Sequence, residues 1–406
     1  MSTTINEILH DKGWADLVDW LPPDLDEIAE RTGALSRRRA VRSGADLLRL
    51  AFAYGPLGQS LRQVSTWAAM AGVAELSDVA VLKRLRSAVP FLDEVLRCLL
   101  QRRMVEPASA EMGLRVRLID ATTVSAPGSK GTDWRVHVAY DVRRGEIDRI
   151  EITDETGGEH LGRLGVQAGD LAIGDRAYAH AERIAEVRRQ GGHVLVRVGY
   201  QAVPMKTANG EDFDPLNFAQ RVRTGPGRPP KIEAQDVLLK GQTAGETSAR
   251  LIVLRKSKEA AEKERNRILR EASRKGKTPR PRTLEAAAYT FLLTTVPRET
   301  ASDALLAELY RVRWQVEMAF KRLKSLAHLD ELRARSPELA KVDLLAKLIA
   351  AVLVDLIARQ MRAFSPWGFP IRWACQSLEA NQGNPRRHPE LHPWSLENSR
   401  TSQATS

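Results

Sequence analysis

Cysteine is scarce in this chain of 406 residues, which contains only Cys98 and Cys375 and no Cys-x-x-Cys pair. This scarcity argues against a disulfide scaffold and against a cysteine zinc site, and it fits a reducing compartment. The N-terminus also lacks a basic segment followed by an apolar one, so no secretion signal is expected. We therefore expect a cytoplasmic protein.

Long hydrophobic runs are missing as well. The longest, residues 344–358, contains Lys347 and Asp355 and is shorter than the ~20 apolar residues that a membrane span requires. This segment is typical of a buried amphipathic helix, and no membrane partner is expected. The sequence contains no internal repeat, which excludes a solenoid or propeller built from repeated units.

The chain is strongly basic. Its 62 Lys and Arg residues exceed its 51 Asp and Glu residues, giving a net charge of +11 and a pI near 9.8. This balance favours a polyanionic partner, and nucleic acid is the most plausible one. With 43% hydrophobic residues and a length greater than one ordinary core needs, the chain is expected to form more than one domain.

Residues 1–112 carry apolar residues mainly at spacings of three and four, which predicts helices. Gly72 and Ser77 lie where a helix-turn-helix motif places its turn and the cap of its second helix. The turn is longer than in the common form of that motif, so an ordinary helical hairpin is the favoured interpretation.

Short β-rich runs replace this pattern from residue 113 onward. Runs at residues 115–120, 134–140 and 147–152 predict three strands, and alternating strands and a helix follow up to residue 200. This order predicts an α/β fold in which helices pack on a mixed sheet.

The remaining chain divides into three parts. Residues 201–285 combine turn-forming Pro and Gly with short strands and a basic segment, and are interpreted as a β-rich insertion. Residues 286–365 are expected to form a strand and two long helices, at 301–326 and 337–362. Residues 366–406 are rich in Pro, Asn, Arg and Ser and are expected to form a loosely packed tail.

The basic segment at residues 253–282 contains 12 basic and 4 acidic residues. The segment could follow the phosphates of DNA, which would make binding strongly dependent on salt. A solvated helix with a basic loop is an equally open interpretation.

Two aspartates follow apolar runs of the predicted sheet. Asp120 and Asp175 each end such a run, where a side chain can project from the edge of a sheet into a site. An acid in this position is more often a turn former, so neither residue alone identifies a site.

Four residues near the C-terminal helices form a second pattern. Tyr310, Arg313, Glu317 and Lys324 would lie within about 60° of one another around a single ideal helix. Such a face suits phosphate and metal binding, although a solvated face with intrahelical ion pairs has the same composition. Trp314 is expected to pack beneath this helix.

Considered together, the two aspartates and Glu317 change the interpretation. Oxygen ligands without thiols or imidazoles are what hard divalent cations prefer. Two such cations can activate a water or a 3′-hydroxyl and stabilise the leaving oxygen of an in-line displacement.

These motifs resemble those of bacterial cut-and-paste transposases of the insertion-sequence-four family, which includes the transposon-five enzyme. The family signature is Tyr, two residues, Arg, three residues, Glu, six residues, Lys, and residues 310–324 match it without a gap. Asp120 in Leu-Ile-Asp-Ala-Thr-Thr and Asp175 in Asp-Arg-x-Tyr resemble the two catalytic aspartates. Residues 40–365 carry the resemblance.

The resemblance implies a ribonuclease-H-like catalytic core at 113–200 and 286–365, interrupted by the insertion at 201–285, with a helical DNA-binding region at 1–112. It makes Asp120, Asp175 and Glu317 the catalytic, metal-binding triad. The implied cofactor is Mg²⁺, two ions per active site, with Mn²⁺ able to substitute. The implied DNA contacts are Tyr310, Arg313, Lys324, Arg176 and Tyr178, with Tyr289 as a base-stacking residue.

The implied reaction is excision and integration of an insertion sequence, through a DNA hairpin, by a homodimer on DNA. Its partners would be double-stranded DNA at the element's terminal inverted repeats and at the target. Two alternatives stay open: a nuclease of the same fold without strand transfer, and a catalytically silent DNA-binding regulator.

Overall fold

Helices form first along the chain, as the apolar spacing predicts. The computed structural model describes residues 11–36, 38–101, 113–129, 131–222, 232–241, 245–334 and 336–363. The predicted tail at 366–406 lies outside these residues. The N-terminal helices are α1 Asp11–Val18, α2 Leu25–Arg31, α3 Gly44–Tyr54, α4 Leu61–Met70, α5 Asp78–Ser87 and α6 Val89–Gln101.

Serine side chains cap the N-termini of three of these helices. Ser43 and Ser60 each form a capping box, in which the serine accepts an N–H bond and the third helical residue accepts one in return. Ser77 caps α5 by accepting from the Ala80 N–H, which confirms the predicted cap. Gly72, at φ +65°, lies in the turn between α4 and α5, a conformation that favours glycine.

The described strands form one nine-stranded mixed sheet in the order β3-β2-β1-β4-β5-β9-β8-β7-β6. They are β1 Arg115–Val124, β2 Trp134–Asp141, β3 Glu146–Asp154, β4 Asp170–Gly174, β5 His193–Val198, β6 Met205–Lys206, β7 Ile232–Lys240, β8 Glu246–Arg255 and β9 Tyr289–Thr294. β1, β4 and β5 are parallel, and the other pairings are antiparallel. The predicted mixed α/β fold, consistent with a ribonuclease-H-like core, is confirmed.

The strands of the insertion extend this same sheet. β8 pairs with β9 along its length, and β7 and β6 continue the sheet outward. The helices of this half are α7 Ala181–Arg189, α8 Pro215–Gln220, α9 Lys258–Arg274 and α10 Pro281–Ala286. The basic segment therefore forms the helix α9 next to the sheet strand β8.

Alternation along the strands divides the apolar residues between two cores. Leu118 and Ile173 belong to the first core, whereas Ile119 and Ala172 belong to the second, because successive side chains point to opposite faces of a sheet. The first core also contains residues of α1–α6 and of the C-terminal helices. The N-terminal helices and the central sheet therefore share one hydrophobic core.

The C-terminal helices correct one prediction. In place of a single helix at 301–326, the structure has α11 Asp303–Arg311 and α12 Trp314–Ala327, followed by α13 Pro337–Ala363. At the break, Val312 and Arg313 donate to the carbonyls of Leu309 and Tyr310. These bonds span three residues instead of four, so the chain tightens locally and the helix is interrupted.

Helix α13 contains the longest apolar run and confirms its interpretation as a buried helix. Lys347 is 3% exposed and donates to the carbonyls of His328 and Glu331 and to the Asp343 carboxylate. Among the described helices, none has the length and apolar character that crossing a membrane requires.

Candidate active site

Asp120 and Asp175 emerge at the same edge of the sheet. The parallel pairing of β1 with β4 ends at Leu118 and Ile173, and each aspartate follows two residues later. Asp120 does not end its strand, as the sequence suggested, because β1 continues to Val124 by pairing with β2. Both carboxylates nevertheless lie where the carboxyl ends of two adjacent parallel strands meet.

Backbone N–H groups hold the two aspartate side chains. The Asp175 carboxylate accepts a hydrogen bond from the Ala177 N–H at 2.8 Å and caps the short 3-10 helix Arg176–Tyr178. The Asp120 carboxylate accepts from the Ala121 N–H at 2.9 Å. These bonds orient the carboxylate oxygens at the edge of the sheet. Because the side chain of aspartate is short, few rotatable bonds have to be fixed.

Arg313 connects the sheet to α12, the helix that carries Glu317. Its Nη2 donates to Glu317 Oε1 at 2.5 Å, and its Nη1 lies 3.6 Å from Asp120 Oδ2. One guanidinium therefore contacts both carboxylates, one from β1 and one from the first turn of α12. The structure thus brings two of the three predicted acidic residues to the same cation.

The third carboxylate is close enough to act on this pair electrostatically. Burial raises the pKa of Asp120 to about 6, the Ala121 N–H and Arg313 oppose this rise, and the negative charges of Asp175 and Glu317 add to it. A buried carboxylate surrounded by like charges binds a cation strongly. The site therefore requires positive charge, and in this structure Arg313 supplies it.

The donor set matches a hard divalent cation in its chemistry, since all its side-chain ligands are carboxylates. However, no three His, Cys, Asp or Glu side chains within the described residues lie close enough together to hold a metal ion. Asp120, Asp175 and Glu317 would hold the metal, which would supply Lewis-acid chemistry at this edge of the sheet. Arg313 contacts two of these carboxylates, and the side chains of Arg313 and Glu317 are 23% and 51% exposed.

The two remaining signature residues, Tyr310 and Lys324, lie on α11 and α12. Tyr310 on α11 is half-buried, and burial raises its pKa, with Arg313, Arg197, Asp175 and Arg176 among the neighbouring charges. Lys324 is half-buried two turns beyond Glu317 on α12. Tyr310 is thus placed beside the carboxylates in spite of the helix break.

The aromatic residues are placed differently from their predicted roles. Tyr178 is 1% exposed and Tyr289 is 9% exposed, both within the second core, which argues against direct contact of either side chain with DNA. Trp314 was expected to be packed, but its side chain is 57% exposed. The prediction placed Trp314 on one continuous helix. Because the turn at Val312 and Arg313 separates two helices and the second begins at Trp314, the orientation predicted for Trp314 does not hold.

The sequence interpretation missed Arg197, which lies beside a cavity that Arg176 lines. This cavity of about 230 Å³ lies between the segment that follows β5, the helices α9 and α10, and β9, and it is lined by Arg176, Tyr200, Glu264, Phe291 and neighbours. Arg197 on β5 lies 4.0 Å from Glu264 at this cavity. No sequence motif marks Arg197, because a single basic residue in an apolar strand resembles an ordinary surface position.

Comparison with known proteins identifies the family of the chain. Residues 111–353 match the family described as transposase DDE domain. The chain belongs to the DDE transposase family. The matched range contains Asp120, Asp175 and Glu317.

Individual relatives of this transposase agree with the assignment. The transposase for insertion sequence element IS421 of Escherichia coli is 39% identical over 352 residues, covering 85% of this chain and 93% of that protein. The transposase for IS231F of Bacillus thuringiensis subsp. israelensis is 27% identical over 382 residues, covering 84% and 78%. The predicted membership in an insertion-sequence-four-like family is confirmed.

Family membership establishes the general activity. The protein is an insertion-sequence transposase, a metal-dependent enzyme that cleaves and joins strands of DNA. The predicted identity of the enzyme and its DNA partner are thereby confirmed at this level.

Proposed function

We propose that this transposase excises and integrates its own insertion sequence by cut-and-paste phosphoryl transfer at Asp120, Asp175 and Glu317. The single observation that supports this assignment is the Arg313 guanidinium in contact with the carboxylates of both Asp120 and Glu317. Residues separated by almost two hundred positions are brought to one point at the edge of the sheet, next to Asp175.

The three carboxylates would hold two Mg²⁺ ions, and Mn²⁺ would substitute. When bound, the ions would activate the attacking hydroxyl and stabilise the leaving oxygen of each displacement. The backbone bonds to Asp120 and Asp175 keep their oxygens oriented. Arg313 partly neutralises Asp120 and Glu317, and Tyr310 and Lys324 would contact the DNA backbone.

The proposed reaction sequence begins with hydrolytic nicking at the ends of the element. The freed 3′-hydroxyl then attacks the opposite strand to form a hairpin and, after the hairpin is opened, attacks target DNA. The hairpin is supported by the resemblance to the family alone, because the proposed stacking residue Tyr289 is buried. Two protomers on paired terminal inverted repeats would carry out these steps in the cytoplasm.

The test uses the purified full chain, Mg²⁺ and a duplex that carries the terminal sequences flanking the gene. Asp120→Asn, Asp175→Asn and Glu317→Gln are each expected to abolish cleavage and joining while largely preserving duplex binding, because each removes one anionic ligand and little volume. Glu308→Gln, an exposed neighbour on α11 paired with Arg311, is the matched control and should retain activity.

The products distinguish the alternatives. Joined products support transposition, whereas cleaved products without joining would favour a nuclease of the same fold. A protein that binds the ends but never cleaves them, with Glu317→Gln unchanged from the parent, would support a DNA-binding regulator. Loss of binding in parallel with cleavage would contradict the catalytic assignment of the carboxylates.

A further inference from the structure

Helix α9 presents a row of cations that the catalytic site does not use. Lys263, Arg267, Arg270 and Arg274 follow one another at spacings of four, three and four residues, so they lie within about 60° of one another around the helix. We call these four residues the basic row. Each of them is exposed.

The opposite face of α9 packs against the protein. Ala261 is 6% exposed, and Glu264 and Ile268 line the cavity beside Arg176. These three positions lie on the side of the helix away from the basic row, since they are about 100° to 160° from Lys263 around the axis. The row therefore points outward from a helix that is anchored along its inner face.

Local ion pairs neutralise only one member of the basic row. Arg267 is held by Glu264 and Glu271 on the same helix. Among the described residues, the ion pairs within α9 involve Arg265 and Arg267 and not Lys263, Arg270 or Arg274. Like charges three and four residues apart destabilise a helix, so an outside polyanion would relieve a repulsion that the free protein carries.

The helix that carries the basic row packs close to the residue that follows Asp175. Arg176, which directly follows Asp175, lines the same cavity as Glu264 of α9. Lys256, just before the helix, has a pKa lowered to about 8 by burial and, against the effect of Glu264, by Arg197, Arg176 and Arg267. Arg176, Arg197 and Lys256 thus form a group of cations at the inner face of α9, with Glu264 among them.

The dimensions match a DNA backbone. Eleven residues separate Lys263 from Arg274, a rise of about 16 Å along a helix. This equals the rise of about five base pairs of duplex DNA. Cations at three or four successive positions along such a length suit a phosphate strand better than a compact anion.

We propose that the basic row binds the phosphate backbone of the element-end duplex whose scissile phosphate lies at Asp120, Asp175 and Glu317. This inference rests on the proposed function and extends it, because it assigns a DNA-binding surface outside the signature residues and the N-terminal helices. The row holds the duplex by charge and reads no sequence.

The test measures binding of the full chain to the end-containing duplex across a series of salt concentrations. The variant Lys263→Gln/Arg270→Gln/Arg274→Gln leaves the paired Arg267 intact. Each phosphate contact contributes about 0.9 to the slope of log affinity against log salt, so the slope is expected to fall by about 2 to 3. The variant Arg270→Lys/Arg274→Lys keeps the charges and should keep the slope.

A matched control removes the same charge elsewhere. Arg183→Gln/Arg189→Gln/Lys240→Gln changes exposed residues of α7 and the end of β7, and its slope is expected to stay within 1 of the parent value. An unchanged slope in the basic-row variant, with the thermal melting of the parent, would overturn the proposal. An equal fall in the control would overturn it too, since the effect would then be one of net charge.

A second arm separates end DNA from target DNA. With pre-cut ends at saturating concentration, joining to a plasmid is measured as the plasmid concentration rises, and the basic-row variant should match the parent. A change confined to this arm would assign the row to target DNA and contradict the proposal. The carboxylate variants test the proposed function separately, because they lose cleavage whether or not the basic row binds DNA.

Discussion

Arg313 connects β1, which carries Asp120, with α12, which carries Glu317. Its two terminal nitrogens contact carboxylates that belong to β1 and to α12, and its own position follows from the tight turn between α11 and α12. A guanidinium can make both contacts at once because it is planar and forked, whereas an ammonium is a point charge. The arrangement therefore depends on arginine and not on positive charge alone.

Arg313→Lys is expected to reduce cleavage by about 100-fold while preserving the fold, since small displacements of catalytic groups can have effects of this size. The measurement is the single-turnover rate of nicking on the end-containing duplex. Arg311→Lys, at an exposed neighbouring position on α11, serves as control and should retain the parent rate. A fully active Arg313→Lys enzyme would show that charge suffices and that bridging is dispensable.

At the scale of elements, β1 is tied to its neighbours by a buried arginine, Arg117. This side chain is 1% exposed, and it uses all five of its N–H donors. The acceptors are the Asp148 carboxylate twice, the Asp170 carboxylate, and the carbonyls of Leu164 and Gly165. Through these bonds β1 is tied to β3 and β4, three residues before Asp120.

Arg117→Met is expected to destabilise the protein by about 3 to 5 kcal/mol, because the buried Asp148 would keep only Arg115, at 3.8 Å, as a cationic partner. Urea unfolding followed by circular dichroism measures the change. As the control, Arg298→Gln breaks an exposed pair with Asp236 and Asp303 and should cost at most about 1 kcal/mol. Equal costs for the two variants would contradict the buried network as the source of stability.

Elements also show how far local sequence patterns can be interpreted. Alternation correctly predicted β1, β2 and β3, and the serine cap of α5 was correctly placed. Periodicity failed at Val312 and Arg313, where the apolar spacing continues through a turn that the backbone tightens. One tight turn hardly changes the 3.6-residue spacing of apolar residues. The sequence therefore gives no sign of the break.

For the whole molecule, the shared core is the central feature. The N-terminal helices pack on the same face of the sheet as α11–α13, and α6 contacts β3. Arg333, which follows α12, donates to the carbonyls of Tyr54, Gly55 and Gly58 at the end of α3. The N-terminal region is therefore expected to fold together with the catalytic core and not as an independent unit.

The full chain is expected to unfold in urea in one transition, with tryptophan fluorescence and far-UV circular dichroism giving the same midpoint. Leu92→Ala in α6, at a side chain with no exposure, should lower the free energy of unfolding by about 2 to 5 kcal/mol and move both curves together. Val79→Ala, at a position 55% exposed, is the control. Two separate transitions, or a shift in only one signal, would contradict the shared core.

The sequence by itself determined the family and most of the order of strands and helices, because these are encoded in residue types at fixed local spacings. It also predicted Asp120, Asp175 and Glu317 as the catalytic residues. Only the tertiary structure decided that Arg313 stands between Asp120 and Glu317, that the insertion strands prolong the central sheet, and that Arg117 is buried. Each of these depends on contacts between segments far apart in the chain. Local spacing carries no information about such contacts, since they arise from how the strands pair and which faces of the sheet are covered.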